Sequence, residues 1–413
     1  YLLASSQISF EPKGRIFLGE LGLDGGIRRV PGVLAIAMAA RLAGFTEIFV
    51  PPGNGREAAL LDGVTVYEVG HLTDLVEYFS GRKILTPMPA TAIESDQDNI
   101  SSLDFKDIHG QEKAKRALEI AAAGNHNLLM SGPPGAGKTI LAQALPSILP
   151  PLLLEEALEV TRIYSVAGLL TGEEPFVRNR PFRHPHHTSS YVSIIGGGVH
   201  PRPGEATLAH RGVLFLDELP EFDRRVIEAL RQPLEERTIT VARSQGVSTF
   251  PAQFILVAAM NPCPCGYFGD PRKDCVCSPG ALSKYRKKIS GPLLDRIDLN
   301  INTPAVEYEK LERGGEEESS ALIREKVLIA REFQERRFRG MGIRTNAEMG
   351  IRELKQFIRL SEPHREILRR AHQRYHLSAR SYHRVLKLAR TIADTEQSEE
   401  LLPEHISEAL QYR

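Results

Sequence analysis

Apolar and polar positions fall into three successive rhythms along the chain. Between residues 15 and 80, short apolar runs ("RIFLGEL", "TEIFVPP", "VTVYEV") alternate with helix-patterned segments ("PGVLAIAMAARLAG", "REAALL", "HLTDLVEYFS"), with Pro or Gly at the joints. This alternation predicts an α/β domain over residues 1–80. The chain opens on "YLLASSQISF", with no Met and no helix or strand start signal, and reads as entered partway through that domain. Residues 81–104 turn polar and Pro-bearing and read as a linker. A second domain is expected over 105–304, and its apolar strands carry the chemistry at their ends. The run "EKLERGGEEESS" has nothing to pack and predicts a flexible linker over 305–320. Residues 321–413 then carry a 3.6-residue period through about five helices.

Composition changes the picture little. Lys plus Arg equals Asp plus Glu at 52 each, so overall charge points to no particular partner. The imbalance is local: residues 321–390 hold eighteen Lys or Arg against seven Asp or Glu, a net of +11, which predicts a positive face on the helical domain. No run of eighteen apolar residues and no secretion signal occurs, so a cytoplasmic protein with no membrane partner is expected.

The most specific chemistry lies in "NHNLLMSGPPGAGKTILAQAL", an apolar strand, a Gly-rich turn and a helix in that order. Gly132, Gly137, Lys138 and Thr139 match G-x-x-x-x-G-K-[ST], the phosphate loop. The loop Gly132, Pro133, Pro134, Gly135, Ala136, Gly137, with Ile140 in the helix, is expected to wrap its N–H groups around the phosphates of ATP or ADP. Lys138 would offset β and γ charge, and the Thr139 hydroxyl would reach Mg²⁺. A second strand, "GVLFLDEL", ends in Asp217 and Glu218. Asp217 suits the same Mg²⁺ and Glu218 the attacking water, although acids at a strand end also precede ordinary helix caps. A third strand ends in Asn261, whose amide could orient water, whereas an isolated Asn-Pro would be a turn signal.

These motifs, followed by "GPLLDRIDL" and "LSARSYHRVLKLARTIAD", resemble the YifB/ComM group of magnesium-chelatase-related bacterial AAA+ ATPases over essentially the whole chain. The resemblance implies an α/β AAA+ P-loop ATPase core with a helical lid, preceded by a partial Lon-like (S5-like) α/β domain. It implies that Arg296 is an arginine finger reaching a neighbouring subunit's nucleotide, with local pairing to Asp295 or Asp298 as the alternative. Arg380 takes the place of the second sensor on the lid, with Arg384 as fallback, and Ile108 and His109 close over the adenine. A homo-oligomeric, hexameric ring follows from a finger given in trans. The cargo implied by the ComM branch is single-stranded or branched DNA undergoing branch migration in natural transformation, with recombination proteins as partners. The rival readings are a remodelling or chelatase-like ATPase acting on a protein partner, and a nucleotide-dependent switch scaffold.

Two elements are candidates for touching that cargo. The segment of about 165–203, with Arg178, Arg180, Arg183, His184, His186, His187, His200 and Arg202, matches the helix-2 insertion of the chelatase branch, though a loop polar network would also account for it. At about 235–252, "RTITVAR" and "GVSTFPAQF" around "SQG" predict a hairpin flanked by Arg237 and Arg243, matching the pre-sensor hairpin. In a ring both would form Arg-containing pore loops that grip phosphates without reading bases.

All four cysteines fall in 263–277: Cys263, Cys265, Cys275 and Cys277. Nine residues between the inner pair suffice to turn the chain and present four sulfurs to a structural Zn²⁺, with reduced thiols or disulfides as the other outcomes. Such a knuckle is expected to brace the loop leading to Arg296, so that chelation weakens assembly and ATPase activity but spares nucleotide affinity.

Overall fold

The computed structural model describes residues 2–91, 103–198, 201–243, 246–305 and 317–413. It divides into two units, Tyr1–Asp98 with Leu152–Asn179, and Asn99–Pro151 with Arg180–Arg413. Residues 92–102 and 306–316 of the expected linkers, together with His200 and the side chain of Arg243, lie outside the described residues.

The first unit is built on a three-stranded parallel sheet in the order Arg15–Phe17, Glu47–Val50, Thr65–Glu68. One face packs Ile48, Val50 and Val66 against Val33, Leu34, Ala37 and Ala40 of the Val33–Leu42 helix. Phe17, Phe49 and Tyr67 stack across the strands at ring separations of 4.9 and 5.0 Å.

One element arrives from far along the chain. The Leu154–Ala167 helix packs on Val33–Leu42, where the Ser165 hydroxyl accepts the Leu34 N–H at 3.3 Å. Residues 152–179 thus make their contacts in the first unit, and the segment of about 165–203 is shared between the two units.

The second unit carries a five-stranded parallel sheet in the order Leu299–Asn302, Leu128–Ser131, Ile255–Met260, Val213–Leu216, Phe182–Arg183. Both faces are covered, which is why these strands read as unbroken apolar runs. Leu128, Met130, Phe215 and Val257 point into one core with the Glu112–Gly124 helix, and Leu129, Leu214, Leu216 and Leu256 into the other. Five α-helices follow among the described residues beyond 317: Ser320–Arg337, Ile351–Phe357, Glu362–Tyr375, Ala379–Thr395 and Pro403–Ala409. The chain is therefore a mixed α/β fold with a central parallel sheet and a helical region. Among the described residues, no helix is long and apolar enough to cross a membrane.

Thr238–Arg243 and Gly246–Pro251 form the antiparallel hairpin that the alternation predicts; Ser244 and Gln245 lie outside the described residues.

Candidate nucleotide site

In a parallel sheet every strand delivers its last residues to the same edge, where ligands bind. The phosphate loop leaves Ser131 there, and the strand ending at Leu216 delivers Asp217 and Glu218 to the same edge, as the strand ending at Met260 delivers Asn261. Gly132 is required where it stands, since a Cβ would sit 2.1 Å from the Thr303 carbonyl oxygen. Gly135 and Gly137 hold φ of +76° and +83°, the left-handed conformation that a side chain resists.

Lys138 is buried and donates to the carbonyl oxygens of Gly132 at 2.7 Å and Pro133 at 2.9 Å, and to Asn261 Oδ1 at 3.3 Å. Burial lowers its ammonium pKa, while Asp217 and Glu218 oppose that shift. Thr139 Oγ1 donates to Asp217 Oδ2 at 2.8 Å. Adjacent ligands of an octahedral Mg²⁺ at about 2.05 Å stand ~2.9 Å apart, so this oxygen pair has the spacing of two cis ligands. Five sequence-predicted residues, Lys138, Thr139, Asp217, Glu218 and Asn261, thus meet at one edge of the sheet.

Glu218 adopts φ of 52°, a left-handed turn at the strand end, and its Oε2 lies 3.1 Å from His187 Nδ1. His187, expected on the insertion, stands instead at this edge, a placement that sequence reasoning missed because its "HPHH" run carries no motif linking it to Glu218, 31 residues on. At the other side, Ile108 is buried in the core beneath the Glu112–Gly124 helix. His109 Nδ1 is buried with no hydrogen-bond partner among the described residues, an open polar position in the segment expected to close over the adenine.

Arg296 and Arg380 are brought together, but not at this edge. Arg296 precedes the Leu299–Asn302 strand, and its carbonyl accepts Asn127 Nδ2 at 2.9 Å at the opposite end of the Leu128–Ser131 strand. Four residues at ~3.3 Å each put about 13 Å of strand between the two edges. The Arg296 side chain pairs with Glu235 and donates to the Pro292 carbonyl at 2.6 Å, so the alternative of local pairing with Asp295 or Asp298 does not describe it. Arg380 pairs with the same Glu235 at 3.1 Å, so the structure does not bring it to Lys138 of its own chain. Arg384 is engaged by the Leu294 carbonyl at 3.1 Å and by Asp295 at 3.5 Å.

The four cysteine sulfurs lie within 4.8 Å of one another, with Cys263 at 3.3 Å from Cys265 and 3.7 Å from Cys275. All are free thiols rather than disulfides. A tetrahedral ion at about 2.3 Å from each sulfur needs S···S spacings near 3.8 Å, so the cluster can hold a metal. The Tyr267 backbone N–H leads the groups that draw the Cys265 thiol down to about 6, toward the thiolate that metals bind. The knuckle rests on the phosphate loop: a Cβ at Gly266 would lie 2.6 Å from Pro134 Cδ. The knuckle thus also touches the phosphate loop, beyond the segment leading to Arg296 that it was expected to brace.

Several arginines expected on pore loops are engaged within the fold. Arg180 donates to the carbonyls of Pro150 at 2.5 Å and Arg211 at 2.6 Å, Arg183 pairs with Glu205 at 2.6 Å, and Arg237 pairs with Glu348 at 3.1 Å.

Comparison with known proteins agrees with this arrangement. The family model of the magnesium chelatase subunit ChlI matches residues 104–311, that of the ChlI C-terminal region 317–413, and a third ChlI model 1–54. The competence protein ComM of Haemophilus influenzae is 42% identical over 403 residues, covering 96% of this chain and 77% of the relative. YifB of Escherichia coli is 40% identical over 419 residues, covering 100% and 80%. An uncharacterized protein of Mycobacterium tuberculosis is 44% identical over 384 residues, covering 92% and 74%. With a phosphate loop, an acidic strand end and an asparagine strand end on one edge of a parallel sheet, the chain belongs to the YifB/ComM group of magnesium-chelatase-related AAA+ ATPases.

Proposed function

We propose that this ATPase hydrolyses ATP at a seam between two copies, one giving Lys138, Thr139, Asp217, Glu218 and Asn261 and the next giving Arg296 and Arg380. The observation that carries this is the opposite placement of Lys138 and Arg296 on the same strands: a guanidinium at one sheet edge serves the phosphates at the other only in a neighbouring copy. Thr139 and Asp217 would hold Mg²⁺, which screens the phosphate charge and orients the terminal phosphate. Lys138 balances charge on the β and γ oxygens, Asn261 positions Lys138, and Glu218 accepts the proton of the attacking water. Arg296 stabilises the transition-state charge, a contribution of about 10³–10⁵ in rate where such a finger acts. Repetition of a head-to-tail seam closes a ring, and six copies is the number the family resemblance supports. Cys263, Cys265, Cys275 and Cys277 hold a structural Zn²⁺, and the first unit derives from a Lon-like domain.

The output is remodelling of a bound macromolecule by the hairpin and the insertion, as in a chelatase-type ATPase. A narrower reading, a DNA motor, draws on the name of the Haemophilus relative, a competence protein, and on one surface. A groove of about 670 Å³ beside the acidic strand end is lined by Arg224, Lys284, Lys287 and Lys288 against a single acid, Glu221, and suits a phosphate backbone.

One experiment tests both levels. The ATPase rate per chain should rise with protein concentration, collapse in Arg296→Ala, and return when Lys138→Ala and Arg296→Ala chains are mixed, since a mixed seam can draw each group from the intact copy. A flat rate, or no rescue, overturns the seam. Forked DNA should raise the rate and lose effect steeply with salt if DNA is the cargo; no response at low salt leaves protein remodelling as the activity.

A further inference from the structure

Glu235 lies near the end of the Arg231–Glu236 helix, three residues before the hairpin strand begins at Thr238. One of its carboxylate oxygens accepts from Arg296 Nη2 and the other from Arg380 Nη2 at 3.1 Å. One carboxylate therefore ties a core cation to a lid cation 84 residues away, Arg380 being the second residue of the Ala379–Thr395 helix.

All three groups line a cavity of about 270 Å³ that also receives Arg237, Arg384 and Lys387. The other acids there have different partners: Glu348 pairs with Arg237, Asp295 with Arg384, and Asp298 with His126 and the Asn127 N–H. Among the described acids lining this cavity, Glu235 is the one that pairs with Arg296 and Arg380. The Nε groups of Arg296 and Arg384 are buried with no hydrogen-bond partner among the described residues, so two of the guanidinium groups lining the cavity keep donors that its acids do not use. Donors left unmet favour any ligand bringing further acceptor oxygens. Glu235 is half-exposed, so it can swing into water at small cost.

We propose that Glu235 is a positioning residue that reserves Arg296 and Arg380 as a pair, standing where the terminal phosphate of a nucleoside triphosphate held by a second copy of the chain docks on assembly. This rests on the seam reading above. A phosphate brings more charge and more oxygens than a carboxylate, so it displaces Glu235 and engages the remaining N–H groups. A diphosphate lacks the γ-phosphate that would do so. Assembly thereby becomes conditional on triphosphate, and release of Glu235 is felt three residues on, where the hairpin begins.

The test uses the full chain with Glu235→Gln, which keeps shape and removes charge. The protein concentration at half-maximal assembly is read by light scattering with Mg²⁺ and either ADP–beryllium fluoride, a terminal-phosphate mimic, or ADP. The Gln chain should assemble at roughly fivefold lower concentration with ADP–beryllium fluoride and unchanged with ADP. The gain should vanish in Glu235→Gln/Arg296→Ala, and Glu235→Asp, which keeps the charge, should stay within about twofold of the native chain. An Asp shift as large as the Gln shift means loosening of the fold and overturns the proposal. An unchanged or raised midpoint for Gln, while Arg296→Ala alone abolishes ATPase activity, overturns the latch and leaves the seam standing. Full ATPase activity in Arg296→Ala overturns the seam and the latch together.

Discussion

At the scale of single residues, charge at this protein's two functional edges is decided by what faces each side chain. Glu218 stands half-exposed beside Lys138 and His187, and the proposed function makes it the acceptor of the attacking water's proton. Glu218→Gln should lower kcat by about 10²–10⁴ while leaving the KM for ATP within a few-fold, because the change removes proton acceptance and not phosphate binding. An unchanged kcat in steady-state assays would take Glu218 out of the chemistry. At the other edge, burial pushes the Asp298 carboxyl up, but the His126 hydrogen bond and the charges of His126, Lys387 and Arg384 outweigh it and hold its pKa below the ordinary 3.8. A carboxyl depressed in the folded state adds stability above the unfolded pKa, and that stability is lost as pH falls through the folded value. Asp298→Asn should therefore cost about 1.5–3 kcal/mol at pH 7 and flatten the loss of stability below pH 4, as read by denaturant unfolding across pH. Equal acid slopes for the two proteins would refute this assignment.

At the scale of elements, short pieces of chain act through what they lean on. The cysteine knuckle begins two residues after Asn261 and its Gly266 turn lies against Pro134, so a bound ion would stiffen the phosphate loop itself. A Zn²⁺-selective chelator with Mg²⁺ in excess should release about one ion per chain and weaken nucleotide binding, by roughly fivefold if the buttress is worth ~1 kcal/mol. The measurement is titration with a fluorescent ADP alongside metal analysis. Metal loss with unchanged affinity would return the knuckle to the role first expected, bracing the Arg296 segment alone. The hairpin is differently placed: its register is set by six facing pairs from Thr238–Pro251 to Arg243–Gly246, and Arg237 at its base is held by Glu348 of the helical region. Movement of the helices and movement of the hairpin thus share a fixed point.

At the scale of the whole molecule, the parallel sheet places Lys138 and Arg296 at opposite edges of one chain, the separation on which the proposed seam rests. The asymmetry follows from strand direction: loops after the strands carry Lys138, Asp217 and Asn261, and the segments before them carry Asn127 and Arg296. The positive charge expected on the helical domain is in part internal. Arg331 donates to the Ala122 carbonyl at 2.8 Å, and Arg337 and Arg390 share the buried Asp394, leaving less of the net +11 for any partner than the count implies.

Local chemistry was legible in the sequence because it is local. A phosphate loop needs its glycines at fixed spacing, a doubly covered strand must be apolar throughout, and a hairpin shows its alternation, so these could be read from neighbouring residues alone. So could the four cysteines, whose sulfurs converge within one loop. Long-range choices could not be read. Only folding decided that Leu154–Ala167 joins the first unit, that His187 meets Glu218, that Gly266 leans on Pro134, and that Glu235 gathers Arg296 and Arg380. The reason is physical: an ion pair or a packing contact between distant segments leaves no periodicity in either one, and which partner wins is settled only when burial brings the competing charges together.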